Sequence, residues 1–180
     1  MHGSERKGHR VGRFAAVAAM IGTVVVTVAP GVANAAPPLF TKVFAPSTIG
    51  PGSTTTLTFT IDNSAEAVIA DELAFSDTLP AGVTIATPAI ASTSCSADVG
   101  GSGPDVSAPD GGGTITLANA SVPAGAVCTV SVDVTASTGG TYVNTSGTLT
   151  SSEGASGTAT DDLTVATDRP GFSKDFSPDP

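Results

Sequence analysis

The chain has 180 residues and a formal net charge of −9, with seven basic residues against sixteen acidic ones, and aromatic residues make up only 4% of it. An acidic surface of this kind repels phosphate backbones and anionic lipid, which excludes nucleic-acid or membrane recognition by phosphate neutralisation. With no Trp and one Tyr, the stacking platforms that a sugar site would use are also missing.

Arg6, Lys7, Arg10 and Arg13 precede an apolar run from Phe14 to Ala29, and Ala33-Asn34-Ala35 is a small-x-small cleavage signal. The pattern predicts a secretory signal peptide over residues 1–35. The alternative is an uncleaved anchor, but the run falls short of the ~20 apolar residues of a spanning helix, and Pro30 and Gly31 end it. Cleavage places the mature chain in an oxidising compartment, secreted or at the cell surface. It also removes both His, both Met and four basic residues, leaving Lys42, Arg169 and Lys174 against fifteen acids, a net 3 − 15 = −12. No stable membrane binding is expected after cleavage.

The mature chain reads as all-β. Phe40 to Ala45 opens it. Gly50-Pro51-Gly52 is a turn, and Ser53 to Asp62 then alternates, with Leu57, Phe59 and Ile61 inward and Thr54, Thr56, Thr58, Thr60 and Asp62 outward. Period two with β-branched outer residues predicts a half-buried strand. Leu73, Phe75 and Leu79 line one face of the next run, closed by Pro80-Ala81-Gly82; Val83 and Ile85 start a short strand, and Ile115 and Leu117 carry another. Cys128, Val130, Val132 and Val134 make a strong inward face, and Tyr142 to Thr150 and Leu163 to Ala166 supply the last two strands. Asp98 to Gly113 reads as a long loop without a strand pattern. Seven or eight strands with recurrent turns and no 3.6 period predict an immunoglobulin-like two-sheet sandwich, with a closed barrel as the structural alternative.

Phe40, Lys42, Phe44 and Pro46 return as Phe172, Lys174, Phe176 and Pro178, all at the offset 172 − 40 = 132. A fixed, domain-sized period announces a tandem array. The expected organisation is therefore a signal peptide (1–35), one sandwich repeat (36–168), and a linker with the first strand of a truncated second repeat (169–180).

Little in the mature module could do catalysis. Without His there is no His-based triad or His metal site, and the Gly-rich stretches 100–103 and 111–113 lack the Lys and helix of a phosphate cradle. Asp98, Asp105, Asp110, Asp161 and Asp162 could bind calcium through oxygen, though no EF-hand spacing is present and solvated acids are the simpler reading. Cys95 and Cys128, paired in number and exported, are expected to form a disulfide; they lack CxxC spacing, and two thiolates alone do not make a zinc site. No cofactor and no metal site is expected.

One constellation does stand out. Lys42 shares an apolar strand face with Phe40 and Phe44, Asp77 lies on the inward face of Leu73, Phe75 and Leu79, and Asn144 shares a face with Tyr142. A Lys on an apolar face is costly unless paired. Lys on a first strand, a carboxylate in mid-domain and Asn on a late strand are the parts of a self-forming isopeptide bond. The plainer alternative is a buried Lys42–Asp77 ion pair, or a Lys that snorkels to the rim.

The stretches FAPSTIGPGSTTTLTFTIDN (44–63), FSDTLPAG (75–82), VPAGAVCTVSVDV (122–134) and GTYVNTSG (140–147) together resemble the "conserved repeat" domains of unknown function found in tandem in large secreted or surface proteins of bacteria. The resemblance spans nearly all of residues 38–166. It implies an immunoglobulin-like stalk or adhesin-scaffold unit with no assigned enzyme activity, in which Lys42 and Asn144 occupy positions that related arrays often fill alike; the Cys95–Cys128 pair resembles a subset of the family. The expected function is a non-catalytic structural repeat, with neighbouring repeats of the same chain and other surface proteins as partners. The alternative is a ligand-binding module, calcium-dependent or binding a protein partner at a sheet edge.

Overall fold

The computed structural model describes residues 35–168. The predicted signal peptide, apart from Ala35, and the predicted second-repeat segment 169–180 lie outside the described residues. Within them the chain forms β1 (Leu39–Ala45), β2 (Thr48–Ile49), β3 (Thr54–Asp62), β4 (Ala70–Thr78), β5 (Val83–Ile85), β6 (Ser92–Thr93), β7 (Ser96–Ala97), β8 (Asp105–Ser107), β9 (Thr114–Val122), β10 (Val127–Ala136), β11 (Gly140–Thr145), β12 (Leu149–Ser151), β13 (Gly154–Gly157) and β14 (Thr160–Val165).

One layer is β1-β3-β10-β5, with β6 also on β10. The strands that face it are β13-β12-β4-β9-β7, with β8 also on β9, and the separate ladder β11-β14-β2. The β11 end of that ladder is tied to β4 by the Gly147 N–H donating to the Ser76 carbonyl at 2.8 Å. The first layer ends at β1 on one side and β5 on the other, so the architecture is an immunoglobulin-like sandwich and not the closed barrel.

Alternation drives the assembly. β3 and β10 each bury every second residue, and their register sets Leu57 opposite Val132 and Phe59 opposite Val130. Phe59 and Phe40 meet Phe75 of β4 across the interior, with ring centroids 4.7 and 5.1 Å apart, and Leu73, Ile115, Leu117, Leu149 and Leu163 complete the core. Burial of these side chains, at roughly 1.5–3 kcal/mol each, is what holds the two layers together. Near the start of β11 the Tyr142 hydroxyl donates to the Thr138 carbonyl at 2.7 Å, the corner arrangement that recurs in immunoglobulin-like sandwiches. Gly82 makes room for it: with φ at +98°, a Cβ there would sit 3.0 Å from the tyrosine ring.

Three expectations change in detail. The strands number fourteen segments among the described residues, not seven or eight, because six of them have only two or three residues, and all of these but β5 show no period. The supposed loop 98–113 contains β8, which pairs with β9 through Val106 and Leu117. Tyr142 to Thr150 is two strands, β11 and β12, divided where the Gly147 N–H reaches Ser76.

Candidate functional site

Lys42, Asp77 and Asn144 come from β1, β4 and β11 and meet inside the sandwich. Lys42 is carried inward by the same alternation that buries Phe40 and Phe44. Its residue is 7% exposed, and Asp77 and Asn144 are 0% and 1% exposed. The Lys42 Nζ lies 3.2 Å from Asp77 Oδ2, and Asn144 Nδ2 donates to the same oxygen at 2.9 Å. The three side chains thus converge on one carboxylate oxygen. Phe59, opposite Lys42 in the β1–β3 ladder, forms the floor, with Nζ 5.6 Å from its ring centroid.

Burial lowers the Lys42 pKa from its ordinary value, and the charges of Asp77 and Asp161, with the Asp77 hydrogen bond, oppose that effect. An ammonium in this place is held chiefly by the Asp77 carboxylate beside it; the deprotonated amine is a nucleophile. Lys42 is also the only basic residue in the stretch 36–168. Among the described residues, Asp77 Oδ1 and Asn144 Oδ1 are buried and accept no hydrogen bond, a costly condition for polar atoms in an apolar interior.

Cys95 and Cys128 form the expected disulfide, with Cα atoms 4.8 Å apart. It ties the segment between β6 and β7 to β10. The calcium candidates do not assemble: among the described residues no three acids converge to hold a metal ion. Asp98 and Asp110 accept backbone N–H groups of Glu72 and Ala89, and Asp105 accepts the Asn119 side-chain amide at 2.6 Å. Asp161 accepts the Phe44 N–H at 2.8 Å and pairs in register with Asn144. Its link to the lysine site was not legible from its place in an Asp-Asp pair, although it lies on the strand face of Leu163 and Val165. Asn63 was missed as well. It is buried, and its amide donates to the Val68 and Pro123 carbonyls, anchoring the turn after β3; its one signal was a polar residue closing a perfect alternation.

Residues 38–165 match a family described as a domain of unknown function, DUF7933. No curated protein matches the chain. Among solved structures, the collagen-binding domain from a Staphylococcus aureus adhesin is similar at 10% identity and a TM-score of 0.50, covering 70% of this chain and 97% of that one. A cohesin module from a Clostridium perfringens family 33 glycoside hydrolase is similar at 9% identity and a TM-score of 0.51, covering 74% and 99%. At such identities the likeness is one of fold.

Proposed function

Since the chain belongs to the DUF7933 family of domains of unknown function, we propose that it is a non-catalytic structural module, a stalk, spacer or adhesin-scaffold unit of an exported surface protein. The observation that carries this reading is the parallel pairing of β2 with β14, Thr48 against Thr164 and Ile49 against Val165. The entry strand and the exit strand run in the same direction. Pro37 packs against Gly154 at one pole, and the chain leaves beyond Val165 at the other. Tension applied through the two ends therefore loads the β2–β14 hydrogen bonds, Thr164 N–H to Ser47 and Ala166 N–H to Ile49, both 2.9 Å, in shear, so that they must break together and not one by one.

The disulfide supports an oxidising, extracytoplasmic location. The acidic surface supports protein partners over nucleic acid, and modules placed end to end are the first partners expected. The adhesin domain that shares the fold is named for binding collagen, which is consistent with a surface role for the array.

Force spectroscopy tests the reading. In an Asn144→Ala background, which removes the side chain that shares Asp77 Oδ2 with Lys42, the module should unfold at higher force when pulled through residues 36 and 168 than through residues 36 and 125. The latter pair sits at one pole and peels β1 from β3. Equal or lower force through 36 and 168 would overturn the load-bearing role.

A further inference from the structure

We propose that Lys42 and Asn144 become joined by an intramolecular amide, formed inside the folded module with Asp77 as the acid that promotes it. The inference does not rest on the mechanical reading, because the bond is detected by mass and by digestion whether or not the module carries force.

The geometry supplies the three parts of the reaction. The nucleophile, Lys42 Nζ, and the amide of Asn144 approach the same carboxylate oxygen at 3.2 and 2.9 Å. Both are fixed on strands, so the encounter is intramolecular and pre-oriented, the condition under which effective concentrations become very high. The site is buried from bulk solvent, with Phe59 beneath the amine. A half-turn of the Asn144 amide exchanges its Oδ1 and Nδ2. That places Oδ1 next to Asp77 Oδ2, ready to accept a hydrogen bond from the protonated acid.

The Lys42 ammonium gives one proton to Asp77, leaving a neutral amine and a carboxylic acid. The acid donates a hydrogen bond to Asn144 Oδ1 and polarises the carbonyl. The amine attacks Cγ, forming the Nζ–Cγ bond. A proton passes from Nζ through Asp77 to Nδ2, the Cγ–Nδ2 bond breaks, and ammonia leaves. The products are a secondary amide, one ammonia and a protonated Asp77 that donates to the new carbonyl oxygen. No oxidant, metal or cofactor takes part.

Energetics favour this end point. The unlinked site holds a buried ion pair, which rarely repays its desolvation, and two oxygens without donors. The linked site is neutral, and the Asp77 proton gives the amide oxygen a donor. The bond also joins β1 to β11, across 144 − 42 = 102 positions of sequence.

The sequence makes the test unusually clean, because Lys42 is the only tryptic site between Ala36 and Arg169. The exported wild-type protein, reduced and denatured, should have the mass of its chain less one ammonia, and trypsin should fail to cut after Lys42. Asn144→Ala should restore both the full mass and the cut. Full mass with complete cleavage at Lys42 in the wild type would overturn the proposal, and this reading requires no variant to fold. A mass loss that persists in Asn144→Ala would also overturn it, since the ammonia would then come from elsewhere. Asp77→Asn should lower the linked fraction at least tenfold in protein whose disulfide has formed; undiminished linkage would remove Asp77 from its role.

Discussion

The Phe44 backbone N–H donates to Asp161 Oδ2 at 2.8 Å, across 117 positions of sequence. It joins the first strand of the sandwich to the last. β1 takes its ladder bonds from β3, and on the other side of β1 the Asp161 carboxylate, in place of another strand, receives this edge N–H. Asp161 also pairs in register with Asn144, and Lys42 lies two residues before Phe44. One hydrogen bond therefore sets the first strand against the strand pair that presents Asn144.

Replacing that carboxylate should separate position from charge. Asp161→Ala leaves the Phe44 N–H without its partner and should cost about 1–3 kcal/mol in urea unfolding. It should also slow ammonia loss in protein refolded from inclusion bodies and followed by intact mass. Asp161→Asn retains an oxygen acceptor and should cost less. The Asp161 charge opposes the lowering of the Lys42 pKa, so its neutralisation favours the free amine, and linkage in Asp161→Asn should reach a given rate at lower pH than in the wild type. Identical behaviour of the two variants would show that the hydrogen bond adds nothing to the effect of the charge.

The disulfide should be a separate source of stability. Cys95 and Cys128 are 33 residues apart, and closing a loop of that length contributes about 3–4 kcal/mol in the chain-entropy picture. The folded protein should resist alkylation until reduced, and the doubly substituted Cys95→Ala, Cys128→Ala protein should lose stability of that order by chemical denaturation. Alkylation of the untreated protein would contradict the pairing.

The pH dependence of stability should report whether the amine survives. Burial lowers the folded-state Lys42 pKa below its ordinary value of 10.5. In Asn144→Ala, where the amine remains free, the unfolded chain binds the proton more tightly than the folded one between these two values. Stability should then rise as pH climbs from the folded pKa towards 10.5. In the linked wild type Lys42 has no basic amine, and this contribution should vanish. The measurement is the urea midpoint as a function of pH for both proteins; the same slope in both would argue for a free Lys42 in the wild type.

Export should remove residues 1–35. N-terminal sequencing of protein recovered from outside the host cell should begin at Ala36, and recovery of Met1 on membrane-bound protein would point to the anchor instead.

Much of the architecture was legible because alternation and burial are the same fact read twice. Leu57, Phe59 and Ile61 on β3 and Cys128 to Val134 on β10 take the inward places that period two assigns them. Lys42, Asp77 and Asn144 could be found by the inverse signal, polar side chains on apolar faces. Their mutual contact could not, since three strands remote in sequence have no register until they pair. Short segments escaped for the opposite reason. β2 has two residues, too few for a period, and its partnership with β14 is set by the tertiary fold. Asp161 was hidden because a carboxylate that accepts a backbone N–H from another strand looks, in sequence, like any solvated acid.

Single-molecule extension of the oxidised wild-type module, held at residues 36 and 168, tests the account most directly. With Lys42 bonded to Asn144, force can reach only about 6 residues ahead of the bond (42 − 36) and about 24 beyond it (168 − 144). At ~3.5 Å per residue, rupture then releases at most roughly 100 Å. Without the bond, everything outside the disulfide-closed loop extends, roughly 350 Å on the same scale. Wild type should give the short release and Asn144→Ala the long one; a long release in wild type would rule out the Lys42–Asn144 bond.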